Sequence, residues 1–174
     1  EYFEGILHEA GLSEAKEVNT PAASQQTPSP DHDEVLSTEE HQMFRRMVGK
    51  LQWQVCVRPD IAVAVKELAR GLNSPNKGDL QRLRHLLRYL RGTLHYKMIL
   101  RPNVNLDTDS RHELDLHVFV DANWGGCPTS RKSTSGVLLH LLGCPIHFIS
   151  KTQSVIALSS AESELYGIGS GSAE

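Results

Sequence analysis

The chain has 174 residues, of which 39% are hydrophobic and 22% are charged, and its formal net charge is -3 at pH 7. This composition suits one domain, or one domain with an attached helical segment, and it excludes wholesale disorder and collagen-like or coiled-coil architectures. No apolar run approaches the roughly 18 residues that a membrane span needs, and no signal peptide is visible. Because the chain begins Glu1-Tyr2-Phe3 without a start Met, we expect a segment of a longer protein.

Charge is strongly segregated along the chain. Residues 1–40 carry one Lys against ten Asp and Glu, and residues 41–101 carry thirteen Lys and Arg against three Asp and Glu. Residues 102–174 carry four basic and eight acidic side chains. A basic block of this kind can bind a polyanion, and clustered carboxylates can bind a divalent cation.

Cysteines and histidines show no metal-site spacing. Cys56, Cys127 and Cys144 are widely separated and form no CxxC pair, which argues against a zinc ribbon and a disulfide framework. We therefore expect reduced thiols in a cytosolic or nuclear setting. None of the nine His residues has ligand spacing to a Cys or another His.

Apolar spacing at i, i+3 and i+4 predicts four helices in the first half of the chain. The first covers residues 2–12, and a linker rich in Pro, Ser, Thr and Gln follows over 18–34. The second runs over 39–57 with Ser37 at its N-cap, the third follows Pro59, and the fourth ends at Gly92. The apolar positions expected to face a core are Phe3, Ile6, Leu7, Ala10, Phe44, Met47, Val48, Leu51, Val55, Ile61, Val65, Leu68, Ala69, Leu72, Leu80, Leu83, Leu87 and Leu90.

Four arginines accompany the apolar seam of the fourth predicted helix: Arg82, Arg84, Arg88 and Arg91. Such a row is either a solvated helix face or a set of contacts to a nucleic-acid backbone. The spacing leaves both interpretations open.

After Gly92 the apolar period changes to that of strands, so we predict an α+β fold. Predicted strands cover 96–100, 116–121 (a buried strand), 135–142, 146–150 and 155–158, with a polar loop over 103–111 and turns at 125–128 and 143–145. A helix begins at Ser159-Ser160-Ala161-Glu162.

Three carboxylates in this second half are candidates for a site that needs two of them. Asp121 ends a predicted strand, and Glu162 and Glu164 lie in the first turns of the last helix. A strand-terminal Asp and a helical Glu that face each other form a hard oxygen site suited to Mg²⁺ or Mn²⁺. The spacing fits equally well a capping Asp and an exposed Glu.

Several motifs, in order and register, resemble copia-type retrotransposon polyproteins across essentially the whole chain. DANWGG resembles the family's DADWAG, RKSTSG its RRSTSG, and ALSSAESELY its ALSSAEAEY. The remaining matches are MVGKL with RPDIA (LVGSL and RPDIA in the family), LRYLRGT (LRYLKGT), SKTQ (SKKQ) and the NTP of the linker.

The resemblance implies three regions. Residues 1–38 would be the end of the reverse transcriptase region plus a linker, and 39–93 a helical thumb and connection segment. Residues 94–174 would be a partial ribonuclease H-like domain, a mixed sheet with a helix, truncated at its C-terminus. The implied activity is two-metal hydrolysis of the RNA strand of RNA–DNA hybrids, with Mg²⁺ or Mn²⁺ as cofactor.

By the same resemblance, Asp121 takes the place of the first catalytic Asp, and Glu164 best matches the catalytic Glu. Glu162 is the alternative, because two positions along a helix point about 200° apart and only one can face the metals. The family's next catalytic Asp, in a DN pair on a later strand, has no counterpart in this sequence. We therefore expect weak metal binding and little or no nuclease activity from these 174 residues.

Other residues near this site have less defined roles. Asn123 replaces the family's second Asp, which places that position outside the essential metal shell. We expect Trp124 to pack against the turn rather than stack on a base. Arg131 and Lys132 either approach substrate phosphates or belong to a solvated loop.

Two functions remain as alternatives. The first is a fragment of a reverse transcriptase/ribonuclease H polyprotein, whose partners are an RNA–DNA hybrid or template–primer and the remainder of the Pol polyprotein, with no membrane. The second is a non-catalytic module that binds nucleic acid or acts as a scaffold. In either case we expect a cytoplasmic location in a retroelement particle, with the nucleus as a further location and no secretion.

Overall fold

The computed structural model describes residues 1–22, 32–102, 115–127 and 130–174. They form two compact units, residues 1–98 and 99–174, which we call the helical unit and the sheet unit. The elements are helices α1 (Tyr2–Glu9), α2 (Thr38–Gln54), α3 (Ala62–Arg70), α4 (Lys77–Gly92) and α5 (Ser160–Gly171), and strands β1 (Leu116–Asn123), β2 (Thr134–Leu141) and β3 (Cys144–Thr152). The predicted α+β fold class is confirmed. No helix in the described ranges is long and apolar enough to cross a bilayer.

Helix ends in the helical unit follow the capping signals of the sequence. The Ser37 hydroxyl accepts from the Glu40 backbone N–H, and the Glu40 carboxylate accepts from the Ser37 N–H, so the predicted N-cap is confirmed. Asn76 and Asp79 form the same reciprocal box at the start of α4. The linker segment 23–31 lies outside the described residues.

The core of the helical unit is apolar and closely follows the predicted stripes. Its fully buried side chains come from every helix of the unit and include Ile6, Phe44, Met47, Leu51, Ile61, Leu68, Leu83, Leu86, Leu87 and Leu90. Burial of such side chains is worth about 1.5–3 kcal/mol each. The helices are therefore held mainly by tertiary packing.

A buried arginine closes the core near the C-terminal end of α4. Arg58 is only 4% exposed, and it donates to both carboxylate oxygens of Asp60 at 2.9 and 2.7 Å. It also donates to the backbone oxygen and hydroxyl of Thr93, at 3.0 and 2.8 Å. Its guanidinium lies near three aromatic rings, those of Phe3, Tyr89 and Tyr96. The RPDIA motif and the end of the LRYLRGT motif are therefore joined by hydrogen bonds in the folded chain.

The sheet unit contains an antiparallel sheet in the order β1-β2-β3. The β2–β3 hairpin turns at Leu142 and Gly143, which have φ of 51° and 80°. Two consecutive positive φ values are typical of a type I′ turn. The predicted turn at 143–145 is therefore wrong by about one residue, and Cys144 and Pro145 belong to β3.

Two predicted strands are absent, and a third differs in burial. Residues 96–100 and 155–158 are not in strands. Their large apolar side chains are exposed, the Tyr96 N–H donates to the Thr93 carbonyl, and the Leu158 N–H donates to the Glu162 carboxylate rather than to a neighbouring strand. Strand β1 forms where predicted, but most of its side chains are exposed, since β1 is an edge strand of the described sheet. The predicted polar loop 103–111 lies outside the described residues.

Helix α5 packs closely on β1 through glycines. A Cβ added at Gly167 would lie 2.8 Å from Val120 Cγ1, and one added at Gly171 would lie 3.0 Å from Val120 Cγ2. Such separations are below contact distance, so α5 approaches the strand only because these positions lack side chains. Val118, Val120 and Ala122 therefore face α5.

Candidate carboxylate site and nucleic-acid interface

The Glu164 carboxylate reaches the end of β1. Its Oε1 accepts a hydrogen bond from the Ala122 backbone N–H at 3.2 Å. Ala122 directly follows Asp121, whose side chain is exposed to solvent. The structure thus brings Glu164 to the residue next to Asp121, although β1 continues to Asn123 and so does not end at Asp121 as predicted.

Glu162 has a different role in the same helix. Its Oε2 accepts from the Leu158 N–H at 2.7 Å, and its Oε1 accepts from the Tyr166 hydroxyl at 3.0 Å. This hydrogen bond and the carboxylate's charge raise the pKa of Tyr166. Glu162 therefore stabilises the start of α5, and the geometry favours Glu164 as the carboxylate that faces β1.

Asp121 lies at the open edge of the sheet. Side chains alternate along a strand, so Asp121 is on the opposite side of β1 from Val120 and Ala122, which face α5. Glu164 does not cross the sheet but binds the strand's own N–H. Asp121 and Glu164 therefore start from opposite sides of β1, and a cation shared by them stays a prediction.

The donor set fits a hard cation in kind but not in number. Carboxylate oxygens are the ligands that Mg²⁺ and Mn²⁺ prefer. Within the described ranges, no group of three or more His, Cys, Asp or Glu side chains could hold a metal ion. Asp121 and Glu164, which we call the acidic pair, are two candidate ligands, and metal binding by them stays a prediction.

Side chains in and after the turn that follows β1 lie against the two glycines of that turn. The Trp124 indole N–H donates to the Ala157 carbonyl at 3.0 Å. The Asn123 side chain covers Gly126, where an added Cβ would clash with the Asn123 amide group. Arg131 has a φ of 55° and its guanidinium lies beside Gly125. Trp124 is thus tied to the Ala157 segment by its N–H while its ring is about half exposed, at 52%, and Arg131 lies near the end of β1.

Most of the arginine row on α4 is engaged by the chain itself. Arg82 pairs with Asp79, and Arg88 donates to the Lys16 carbonyl. Arg91 donates to the Ser13 and Ala15 carbonyls and pairs with Glu17. The fourth, Arg84, lies near Glu40. The pKa of the Glu40 carboxyl is lowered mainly by hydrogen bonds from Lys77 and Ser37, and the positive charge of Arg84 lowers it further. Arg88 and Arg91 therefore hold the segment after α1 against α4, and nucleic-acid binding by the four arginines stays a prediction.

Sequence reasoning missed an exposed face of α2. Trp53 is 76% exposed, Arg45 is exposed, and nothing lies within 4 Å of a Cβ added at Gly49. These residues are spaced at i, i+4 and i+8, so they share one helix face away from the apolar core. This face carries a basic side chain, a glycine without a side chain and an exposed indole ring. A nucleotide base can stack on such a surface. The spacing itself was the available signal.

A second missed feature is a buried polar cluster between β2, β3 and α5. Ser133, Ser135, Gln153 and Ser163 are all buried, and Gln153 is at the centre of their hydrogen bonds. The small hydroxyl residues of RKSTSG and ALSSAESELY, together with the Gln of SKTQ, were the signal in the sequence. Only the fold shows that they meet.

Comparison with known proteins finds several relatives that align with nearly the whole chain. The chain is 31% identical, over 99% of its length, to an uncharacterized mitochondrial protein of Arabidopsis thaliana, of which it covers 68%. It is 33% identical, over 99% of its length, to the retrovirus-related Pol polyprotein from transposon RE1 of the same plant, and covers 11% of that protein. Against the Pol polyprotein from transposon TNT 1-94 of Nicotiana tabacum it is 32% identical over 94% of its length and covers 12%. No protein-family model and no solved structure matches the chain.

Proposed function

The chain belongs to the family of copia-type retrotransposon Pol polyproteins, and on that premise we propose that it is part of a reverse transcriptase/ribonuclease H polyprotein. In this proposal, residues 39–93 are a thumb and connection segment, and residues 94–174 are part of a ribonuclease H-like domain. The chain spans only 11% and 12% of the two Pol polyproteins named above. The proposed activity is hydrolysis of the RNA strand of an RNA–DNA hybrid, in a retroelement particle.

The observation that supports a nuclease role is the contact of Glu164 with the backbone beside Asp121. It brings the Glu164 carboxylate, from a helix far away in sequence, to the backbone N–H of the residue that follows Asp121. A divalent cation bound there supplies Lewis-acid stabilisation of charge on the scissile phosphate. The protein's own contribution is to hold the two carboxylates in place, with Glu164 fixed by the Ala122 amide.

Metal binding by the 174-residue chain tests this proposal. We expect weak Mn²⁺ binding in isothermal titration calorimetry, lowered at least about tenfold by Asp121→Asn or Glu164→Gln. Glu162→Gln, a matched change two residues away, should leave the Mn²⁺ affinity unchanged. Equal effects of the two glutamate variants, or no Mn²⁺ binding by the unaltered chain, would overturn the metal site.

Cleavage of a labelled RNA–DNA hybrid tests the incompleteness of the site. With only two carboxylates, the negative charge is too small to hold a metal pair tightly, so we expect little or no Mg²⁺-dependent cleavage by residues 1–174. Rapid cleavage that Asp121→Asn abolishes would mean that the acidic pair suffices.

The exposed α2 face favours a second function, binding of nucleic acid without chemistry. Arg45, Gly49 and Trp53 offer a basic and aromatic surface, and the further candidates for phosphate contact are Arg82, Arg84, Arg88, Arg91, Arg131 and Lys132. We expect Trp53→Ala to weaken binding of an RNA–DNA hybrid by about 1–3 kcal/mol. The free energy of unfolding should change by less than about 0.5 kcal/mol.

The control for this second test is Val63→Ala, which truncates an exposed apolar side chain on α3. It should affect neither stability nor hybrid affinity, measured by fluorescence anisotropy at two salt concentrations. Equal hybrid affinity of the Trp53→Ala and Val63→Ala proteins would remove α2 from the interface.

A further inference from the structure

Gln153 is a buried polar residue whose only side-chain donors are used beside the candidate site. It is 8% exposed, and its Nε2 donates to the Ser135 hydroxyl at 2.9 Å and to the Ser163 carbonyl at 2.8 Å. A reversed amide would set two acceptor oxygens against each other at Ser163, so the orientation is fixed chemically. The amide therefore links β2 to the first turn of α5.

These two partners are the immediate neighbours of the Glu164 contact. The Ser163 carbonyl belongs to the peptide bond that leads into Glu164, and Ser135 is the cross-strand partner of Ala122. Glu164 itself accepts from the Ala122 N–H. These contacts form a closed ring. The Gln153 amide joins Ser135 to Ser163, and the Glu164 carboxylate joins α5 to Ala122.

The cluster carries a stability cost that packing alone does not explain. The Gln153 Oε1 is buried and has no hydrogen-bond partner in the part of the chain that the structure describes. An unpaired buried acceptor lowers stability, because no hydrogen bond offsets the loss of its contact with water. A methionine of similar length would fill the same space without that cost, so the amide donor is the property that the position uses.

We infer that Gln153 is the positioning residue that fixes the Glu164 carboxylate against the end of β1. The inference rests on the proposed function, because Glu164 is the carboxylate assigned there to metal binding. Gln153 touches neither metal nor substrate in this role. It acts by holding the peptide on which the Glu164 side chain is mounted.

Hydrogen exchange of the Ala122 amide, measured by NMR without metal on the 174-residue chain, tests the inference directly. Gln153→Met keeps the length but removes the donor, and Gln153→Glu replaces the donor with an acceptor. Both should speed Ala122 exchange about tenfold, toward the rate in Glu164→Ala, because the charged hydrogen bond is lost. The Val137 amide, in the central strand β2, should change by less than about twofold.

Two further variants separate positioning from general loosening. Ser135→Ala removes one of the two Gln153 partners and should give a smaller increase at Ala122. Ser150→Ala, which removes another buried hydroxyl without a described partner, should give none. If Ala122 exchange is unchanged in both Gln153 variants, or rises only in proportion to Val137 in every variant, the inference is overturned.

The metal experiment distinguishes this inference from the proposed function. If the unaltered chain binds no Mn²⁺ but Gln153→Met still frees the Ala122 amide, the metal site fails and the positioning role stands. If the unaltered chain binds Mn²⁺ and Gln153→Met binds it equally with Ala122 still protected, the positioning role fails and the metal site stands.

Discussion

The two units of the chain are stabilised in different ways. Every residue of the continuous apolar core lies in the helical unit. Among the described residues of the sheet unit, the buried large apolar side chains are Val137 and Leu139, and polar residues such as Gln153 and Ser163 share the interior with them. The helical unit thus resembles a packed scaffold, whereas the interior of the sheet unit is organised around hydrogen bonds next to the acidic pair.

The two units also differ in the apolar side chains that they expose. In the sheet unit, exposed apolar side chains cover much of β1 and α5, including Phe119, Leu165 and Ile168. In the helical unit, the main exposed aromatic residue on α2 is Trp53. Because burial of apolar area supplies most of the stability of a fold, we expect the sheet unit to depend more on each individual hydrogen bond and close contact.

The largest expected effect tests the apolar core. Phe44 is fully buried, and Phe44→Ala should lower the free energy of unfolding of the helical unit by about 3–5 kcal/mol, through lost burial and the cavity left behind. Denaturant unfolding followed by circular dichroism measures it. Val137→Ala in the sheet unit removes fewer buried atoms and should cost about 1–3 kcal/mol. Equal losses would contradict the contrast between the two interiors.

The next effect tests whether a polar contact also stabilises the helical unit. Burial alone would raise the pKa of Asp60, but hydrogen bonds from Arg58 and Tyr89 outweigh it and hold the pKa below its ordinary value. Asp60→Asn should cost about 1.5–3 kcal/mol at neutral pH, since it weakens hydrogen bonds to a charged group.

The pH dependence of that cost has a definite sign. A carboxyl with a lowered folded pKa contributes stability above its unfolded pKa of about 3.9, and this contribution is lost as the pH falls through the folded pKa. The difference between the unaltered protein and Asp60→Asn should therefore be constant at neutral pH and vanish in strong acid. A difference that persists in strong acid would mean that Asp60 acts by packing.

Two glycines of α5 give a matched pair in the sheet unit. Gly167→Ala places a methyl group 2.8 Å from Val120 Cγ1, so overpacking outweighs the gain in helix propensity, and we expect a net loss of about 1–2 kcal/mol. Gly169→Ala meets nothing within 4 Å and should stabilise α5 by about 0.5–1 kcal/mol. Thermal unfolding of both variants measures the difference, and stabilisation by Gly167→Ala would show that α5 does not pack tightly on β1.

The two units also differ in how well their elements could be predicted from the sequence. Helix existence and the core stripes of the helical unit follow from local periodicity, and Ser37 was identifiable as an N-cap. The strand predictions at 96–100 and 155–158 failed because an apolar run does not reveal whether its backbone finds a partner strand. Apolar composition alone could not show that these segments remain exposed.

The candidate site was predictable only in part, for the same reason. Motif resemblance pointed to Asp121 and to two glutamates, and it took the fold to show that Glu164 reaches β1 while Glu162 caps α5. Gln153 escaped notice because its partners, Ser135 and Ser163, are brought together only by the hairpin and the helix. Long-range hydrogen bonds leave no periodic trace in a sequence.

The smallest expected effect concerns helix caps, where the two units should behave alike. Ser37 and Ser159 each accept from the backbone N–H three residues on, so Ser37→Ala and Ser159→Ala should each cost about 1 kcal/mol in thermal unfolding. The corresponding glycine variants should cost only a few tenths, about 0.3 kcal/mol, because glycine leaves the N-terminal amides open to water. Caps act within one helix turn, so their cost is independent of how the rest of the unit is packed. Ser159→Ala could instead cost several times more than Ser37→Ala and also speed hydrogen exchange of the Ala122 amide. That result would show that the cap of α5 is coupled to the Gln153 hydrogen bonds. The sheet unit would then depend on its polar contacts as a set rather than one by one.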